Sequence, residues 1–428
     1  MPDMKLTEAE QKMMDGAEGA AVQKAMDLLV RYGEALGAER LIETNNVCGT
    51  FVAAGPMIRE FASQGSDAIF SEFNLDSTER VAMPPVKAYT CHLIMGVDSE
   101  HPEMRQVSEE AVRVQKEGEQ FFGAKGVNML STCTPYQVGN VPVMGEHCAW
   151  MESSAVIYCN SVLGARTNTE GRESTGAASI TGRIPYFGLH IPENRVASHL
   201  IDVQIPVDDM MDWGLLGYAI GEMVEEDIPA FRGLTAQPSQ IKLKHFGAAA
   251  ASSGGVEMYH MPGVTPETRS EEAAFGGQTP RATWVYGPHE QRTAYEKLNS
   301  TANSSDVDFI MLGCPHNSIE QMWQVARLLE GRRISPNTSL WVFTPRALKE
   351  VADRSGYTDV IKAAGGHVLS DTCPAISRIM PKGTKVVATD SAKQAHYLPA
   401  ITGVQAWFGS VADCVEAAVA GRWTGGLR

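Results

Sequence analysis

Three apolar runs of this chain end at a cysteine with a proline beside it or one residue beyond: VNMLSTCTPY at 127–136, IMLGCPHN at 310–317 and HVLSDTCPA at 367–375. Cys133, Cys314 and Cys373 are therefore candidates for one shared chemistry. Thiolates are soft ligands for iron–sulfur clusters or zinc. A neighbouring proline fixes the turn and carries no N–H, so the loop is stiffened without closing over the sulfur. Three protein ligands would leave one iron of a cubane open to act as a Lewis acid on a substrate hydroxyl. The plainer reading is packing, because free cysteine is among the most buried residue types. Zinc is a third reading, although the short C-x-x-C spacing of zinc modules is absent. On residue pattern alone the ligand and core roles stand level.

Other reactive groups sit near the same run ends. His316 follows Cys314 by two residues and could polarise a site there or cap a helix. Ser391 and Lys393 follow Asp390 at the end of a further run, VVATDSAK. A lysine near a helix N-terminus could grip a carboxylate or phosphate; an N-cap with an outward-facing lysine explains the residues equally well. His396, three residues past Lys393, shares its helix face. Cys148 and Cys159 read as packing residues on one helix face with Glu152, and Cys414 as part of an amphipathic helix. Cys48 and Cys91 stay open. His147, His190 and His260 read as structural. No H-E-x-x-H pair, no Walker sequence and no G-x-G-x-x-G after a strand occurs, which argues against a nucleotide cofactor.

The elements that must position these groups are clearest in the last third. DFIMLGC, SLWVFTP, HVLSDTC, KVVATDSAK and VQAWFGS alternate with helical patterns and short turns. That alternation predicts a doubly wound parallel sheet with right-handed crossovers. Ligands in such sheets bind at the carboxyl ends of the strands, where Cys314 and Cys373 stand. Upstream, residues 6–37 predict two helices, 105–121 an amphipathic helix, 127–130 a strand and 145–164 a buried helix. The segment ARTNTEGRESTG that follows is rich in small polar residues and suits a loop that meets a ligand with its backbone. Residues 196–206 and 239–243 read as strands, 246–271 as a small-residue loop, and Thr265-Pro266-Glu267 as a helix start. Polarity suggests a boundary within 285–305, dividing a composite N-terminal region, 1–295, from a C-terminal βαβ domain, 296–428.

Bulk properties narrow the classes. A formal net charge of −15 argues against nucleic-acid binding, which needs a basic surface. The N-terminus lacks the apolar core of a secretory signal, and no apolar run reaches the length of a membrane span. Eight cysteines without a signal predict a reducing, cytoplasmic setting in which thiols are core residues, ligands or nucleophiles.

Longer motifs carry a resemblance. MESSAVIYCNSVLGARTNTEG at 151–171, STCTPY at 131–136, ITGRIPYFGLH at 180–190, GVTPE at 263–267, GCPH at 313–316, SDTC at 370–373 and ATDSAKQAHY at 388–397 resemble the large subunit of aconitase X, a branch of the aconitase superfamily. The likeness spans nearly the whole chain. It implies an aconitase-like α/β fold, with doubly wound parallel sheets in two or three domains around a central cleft. It also implies an iron–sulfur cluster, 2Fe–2S, 3Fe–4S or 4Fe–4S, on Cys133, Cys314 and Cys373. The family's substrates are hydroxy acids: cis-3-hydroxy-L-proline in bacterial members and mevalonate 5-phosphate in archaeal ones. A small swivelling domain, which can be a separate subunit and can supply a serine base, is expected as a partner chain. The segments 44–50 and 70–92, which depart from the family's usual pattern, are expected to line the substrate pocket.

The expected reaction is β-elimination of water, with His316, Ser391 and Lys393 as catalytic candidates. Arg166, Thr167, Asn168, Asn45 and Lys393 are the candidates for holding the substrate, Arg166 through a bidentate fork that lysine lacks. From cis-3-hydroxy-L-proline the enamine product would rearrange to the cyclic imine Δ1-pyrroline-2-carboxylate. A mevalonate 5-phosphate dehydratase large subunit, and a non-catalytic cluster-bearing or zinc-bound scaffold or regulatory protein, are the rival expectations.

Overall fold

A computed structural model describes residues 4–52, 81–101, 104 and 107–427. The expected pocket segment 70–92 therefore lies partly outside the described residues. In chain order the strands are β1 (Leu41–Glu43), β2 (Asn46–Gly49), β3 (Tyr89–His92), β4 (Val127–Asn128), β5 (Ala149–Trp150), β6 (Arg183–Pro185), β7 (His199–Val203), β8 (Pro229–Arg232), β9 (Ala282–Tyr286), β10 (Phe309–Leu312), β11 (Ser339–Phe343), β12 (His367–Leu369), β13 (Val386–Thr389) and β14 (Gln405–Phe408).

Two parallel sheets define the architecture. The C-terminal sheet has the order β12-β11-β10-β13-β14, and the N-terminal sheet the order β4-β3-β2-β5. In each, the first strand lies inside the sheet and the winding reverses beside it, between β10 and β13 and between β2 and β5. Side chains from the loops after such neighbouring strands diverge around a crevice, the usual ligand position in open parallel sheets. A third parallel sheet, β8-β7-β9, packs on the helices Met210–Val224 and Gln240–Ser253, and β1 pairs antiparallel with β6. No helix among the described residues is long and apolar enough to cross a membrane.

One core joins the two main sheets. Cys48, Cys91 and Trp150 from the N-terminal sheet share a buried cluster with Phe309, Met311, Trp341 and Phe343 from the C-terminal one. Cys48 lies opposite Cys91 in the β2–β3 ladder, and Cys148 meets Cys159 thiol to thiol. These four thiols and Cys414 are fully buried.

The C-terminal alternation is as expected, helix by helix. Upstream, five expectations need correction. The loop expected over 246–271 is helical as far as Ser253, and the expected loop ARTNTEGRESTG gives way at Arg172 to the helix Arg172–Thr181. Residues 145–164 are not one helix: β5 comes first, then the helix Ser153–Tyr158, then a π-helical turn, Cys159–Leu163. Residues 239–243 are not a strand but the start of the helix Gln240–Ser253, capped by the Ser239 hydroxyl. That helix is buried on nearly every face, so its sequence lacks the one-sided apolar stripe of an ordinary surface helix. The run Thr265-Pro266-Glu267 starts no helix; the next one is the short Glu271–Ala274, capped by Ser270.

Candidate active site

Three loops converge, and each turns on a residue with left-handed backbone just ahead of its cysteine. Ser131 (φ 51°) precedes Cys133, Gly313 (φ 104°) precedes Cys314, and Asp371 (φ 68°) precedes Cys373. The first loop follows β4, the second β10 and the third β12, so the thiols come from the carboxyl ends of both main sheets. At Gly313 only glycine fits, since a Cβ would stand 2.2 Å from the Phe343 carbonyl oxygen. The Cys314–Pro315 peptide is cis.

His316 ties the three loops together. Its Nε2 lies 3.0 Å from the Thr372 carbonyl oxygen and must donate to it. The Nδ1 is then the acceptor of the neutral ring and takes the Thr132 hydroxyl at 2.9 Å. The His316 backbone N–H donates to Cys133 Sγ at 3.3 Å. One residue of the Cys314 loop thus binds the residue before Cys373, the residue before Cys133, and Cys133 itself. The ring is fully buried, and burial lowers its pKa to about 4.

Charged groups surround the thiols. Lys393 Nζ donates to Glu152 Oε1 at 2.5 Å and lies 3.4 Å from the Ser153 hydroxyl. Burial opposes both charges, yet each partner outweighs it, so Glu152 sits below the usual carboxylate range and Lys393 above the usual lysine range. Ser391 caps the helix Ala392–Thr402 by accepting from the Gln394 N–H at 3.2 Å. The Gln394 side chain donates to Cys314 Sγ at 2.9 Å. Lys244, only 2% exposed, donates to the His316 carbonyl at 2.8 Å and to Gln321 Oε1 at 2.5 Å. Burial pulls its pKa down to about 8, with Cys133, Asp390 and Cys314 opposing.

The thiols themselves are held in the protonated form. Burial pushes Cys133 well up, with Cys314, Glu152 and Cys373 adding to the rise. Burial likewise raises Cys314, and it pushes Cys373 up to about 12 with help from Cys314. These three sulfurs are therefore close enough to disfavour one another's thiolate forms, and only a cation among them would offset that cost. Among the described residues, no three His, Cys, Asp or Glu side chains close to the spacing of a single metal ion.

The structure gathers Cys133, Cys314, Cys373, His316, Ser391 and Lys393 in one place. It gives the other substrate-binding candidates different partners. Arg166 bridges to His147 in a parallel β-bridge and points Nη1 at the His190 carbonyl at 3.5 Å. The Thr167 hydroxyl accepts from Trp150 N–H and donates to the Asn168 carbonyl. Asn168 accepts from Leu189 N–H and donates to the Phe187 carbonyl. Asn45 is exposed and accepts from Tyr89 N–H at 3.3 Å. Glu152, Lys244 and Gln394 were not among the candidates. Nothing in a sequence distinguishes a charge buried on a helix from one on a solvated face.

Comparison with known proteins meets this geometry. Family models named Aconitase X first, second and third domain match residues 3–193, 197–296 and 307–420. The phosphomevalonate dehydratase large subunit of Methanothermobacter thermautotrophicus is 39% identical, over 94% of this chain and 95% of that protein. The cis-3-hydroxy-L-proline dehydratase of Pseudomonas aeruginosa is 34% identical, over 98% of this chain and 70% of that protein. The crystal structure of Thermococcus kodakaraensis aconitase X in its holo-form superposes with a TM-score of 0.81 at 33% identity, covering 97% of this chain and 100% of that one. Fold and relatives together define a hydro-lyase, a dehydratase of the α/β class. The chain belongs to the aconitase X family.

Proposed function

We propose that this chain is the cluster-bearing large subunit of a dehydratase that removes water from a small hydroxy acid, with cis-3-hydroxy-L-proline as the substrate and Δ1-pyrroline-2-carboxylate as the product. The observation that carries the reading is the His316 knot, which binds the loops of Cys133, Cys314 and Cys373 into one unit. Such a unit suits a group that needs three thiolates from distant parts of the chain. The donor set fits an iron–sulfur cluster: soft ligands, a buried setting, and lysines facing them. When bound, a cluster with three protein ligands supplies a Lewis-acidic iron.

The chain's own residues then divide the work. Lys393 and the Ser391 hydroxyl hold the substrate carboxylate. Glu152, ionised beside Lys393, takes the proton α to that carboxylate. Gln394, donating to Cys314, fixes one sulfur, and His316 acts as a positioning residue because both ring nitrogens are engaged. A small partner chain closes the site, by analogy with relatives named as large subunits.

The second reading is phosphomevalonate dehydration, favoured by relatives of that name at 39% and 36% identity that match nearly end to end. Against it, the two lysines at the thiols, Lys393 and Lys244, are shared with Glu152 and with His316 and Gln321, and among the described residues Lys393 is the one cation left to meet a substrate anion there. A phosphate dianion would ask for cations beyond these. The deciding experiment assays the anaerobically purified protein with its partner chain on both compounds. Turnover of cis-3-hydroxy-L-proline with none of mevalonate 5-phosphate is expected. The opposite result selects the second reading, and a colourless, iron-free protein that gains nothing on reconstitution removes both.

A further inference from the structure

We infer that Arg346 and Asp98 are positioning residues for the Cys373 thiol, acting through the left-handed turn at Asp371. The inference rests on Cys373 being a cluster ligand, as proposed above.

Asp371 has φ 68°, a backbone state that non-glycine residues adopt only when the surroundings over-determine it. The surroundings here do so. Arg346 Nε donates to Asp371 Oδ2 at 2.8 Å, and Nη2 binds the same oxygen. That Nη2 also donates to Asp98 Oδ1 at 3.1 Å. The other Asp98 oxygen accepts the Ser370 N–H at 2.9 Å. The Met95 N–H donates to the Asp371 carbonyl at 2.6 Å, and the Thr372 hydroxyl donates to the Gly96 carbonyl at 3.0 Å. Residues 370, 371 and 372 are each pinned to the 95–98 segment, and Cys373 follows directly.

Two features show that the guanidinium serves these carboxylates rather than its own helix. Arg346 opens the helix Arg346–Arg354, the end where the helix dipole disfavours a cation. Asp98 is only 4% exposed, so its charge needs a partner. Asp98 lies in the first domain, whereas Arg346 and Asp371 lie in the third. The clamp therefore crosses a domain boundary and fixes the third sulfur relative to Cys133. Its Nη1 also pairs with Glu100 Oε1 at 2.5 Å, and a lysine could not reproduce the clamp, because one planar fork must meet three carboxylates at once.

The test compares Arg346→Lys and Asp98→Asn with wild type and with Arg332→Lys. Arg332 grips Glu416 through two 2.7 Å bonds elsewhere in the third domain and serves as the control. One readout is the rate at which visible absorption bleaches under an iron chelator, in the anaerobically purified protein. The other is the alkylation rate of each cysteine by iodoacetamide in the cluster-free protein, resolved by mass spectrometry. Arg346→Lys is expected to bleach about tenfold faster, and to speed alkylation of Cys373 severalfold while Cys133 and Cys314 keep their wild-type rates. Asp98→Asn is expected to give the same pattern more weakly, and Arg332→Lys none of it. A wild-type Cys373 rate in Arg346→Lys overturns the inference, as does equal acceleration of all three thiols. If the wild type binds no iron, the cluster reading fails, and the alkylation pattern still decides whether the clamp positions Cys373.

Discussion

At Glu152 two opposing pressures meet. Burial favours the neutral acid, while Lys393 at 2.5 Å holds the carboxylate ionised. An ionised carboxylate beside the three thiols is suited to accept a proton, and His316 is not, because its ring is locked as donor to Thr372 and acceptor from Thr132. Glu152→Gln keeps the shape and removes the basic site. Its expected effect is a fall in kcat of about 10²–10⁴-fold, typical for loss of a general base, with KM changed by less than about threefold. Steady-state rates on the substrate identified above check this; an unchanged kcat would assign the base to the partner chain. At this scale the three cysteines stood out as candidates because each ends an apolar run with a proline beside it or one residue beyond, although that pattern alone left ligand and core roles level. Glu152 and Lys244 did not, since their meaning comes from burial and from neighbours far along the chain.

The elements set where those residues can stand. Gly313 links β10 to the Cys314 loop in a conformation open to glycine, and a Cβ there would strike the Phe343 carbonyl. Gly313→Ala adds that overlap to a backbone cost of about 1–2 kcal/mol for a left-handed L-residue. The control is Gly331→Ala, where φ is +70° but nothing lies within 4 Å of the added atom. Gly331→Ala is expected to lower Tm slightly and leave iron content at the wild-type level. Gly313→Ala is expected to lower Tm much further and to halve iron content or worse; equal behaviour of the two would remove the close approach as a constraint. The C-terminal strands were legible as short apolar runs bounded by turns, alternating with helices most of which are long enough to show their period. The two-residue β5 is too short for that and exists through its pairing with β2. The helix Gln240–Ser253 opens with IKLK, which imitates strand alternation, and it is buried all round, so its own period is hidden.

Across the whole molecule, buried histidines set the response to acid. His92 and His245 are lowered to about 3, and His316 to about 4, each by burial. An unfolded histidine takes up a proton near pH 6.5, so below that value protons favour the unfolded chain. The stability these groups lend is fully present above pH 6.5 and is lost as pH falls towards 4 and then 3. For His316 alone the loss is about 3 kcal/mol. Glu170 and Asp371, raised by burial to about 7, and Asp390, raised to about 6, act in the opposite sense over the same range. His147 and His190, lowered by burial to about 4 and about 3, join the other three histidines, so five histidines outweigh three carboxyls. Urea midpoints of the cluster-free protein are expected to be level between about pH 7 and 8, below the range in which Lys244 titrates, and to fall steadily below 6.5. A midpoint unchanged down to pH 4.5 would contradict this.

The distribution of the thiols along the chain also has a timetable. Cys133 leaves the ribosome long before Cys373, and at about 5–20 residues per second the interval is roughly ten to fifty seconds. During that interval the N-terminal sheet can be complete through β5, while the loop that His316 will bind waits for both of its companions. Cys133 is also the least buried of the eight cysteines in the finished fold. The newborn chain therefore presents Cys133 without Cys314 or Cys373 all the while it grows from position 133 to position 314. Protecting that sulfur until the last sheet closes is a task for the cell as much as for the fold.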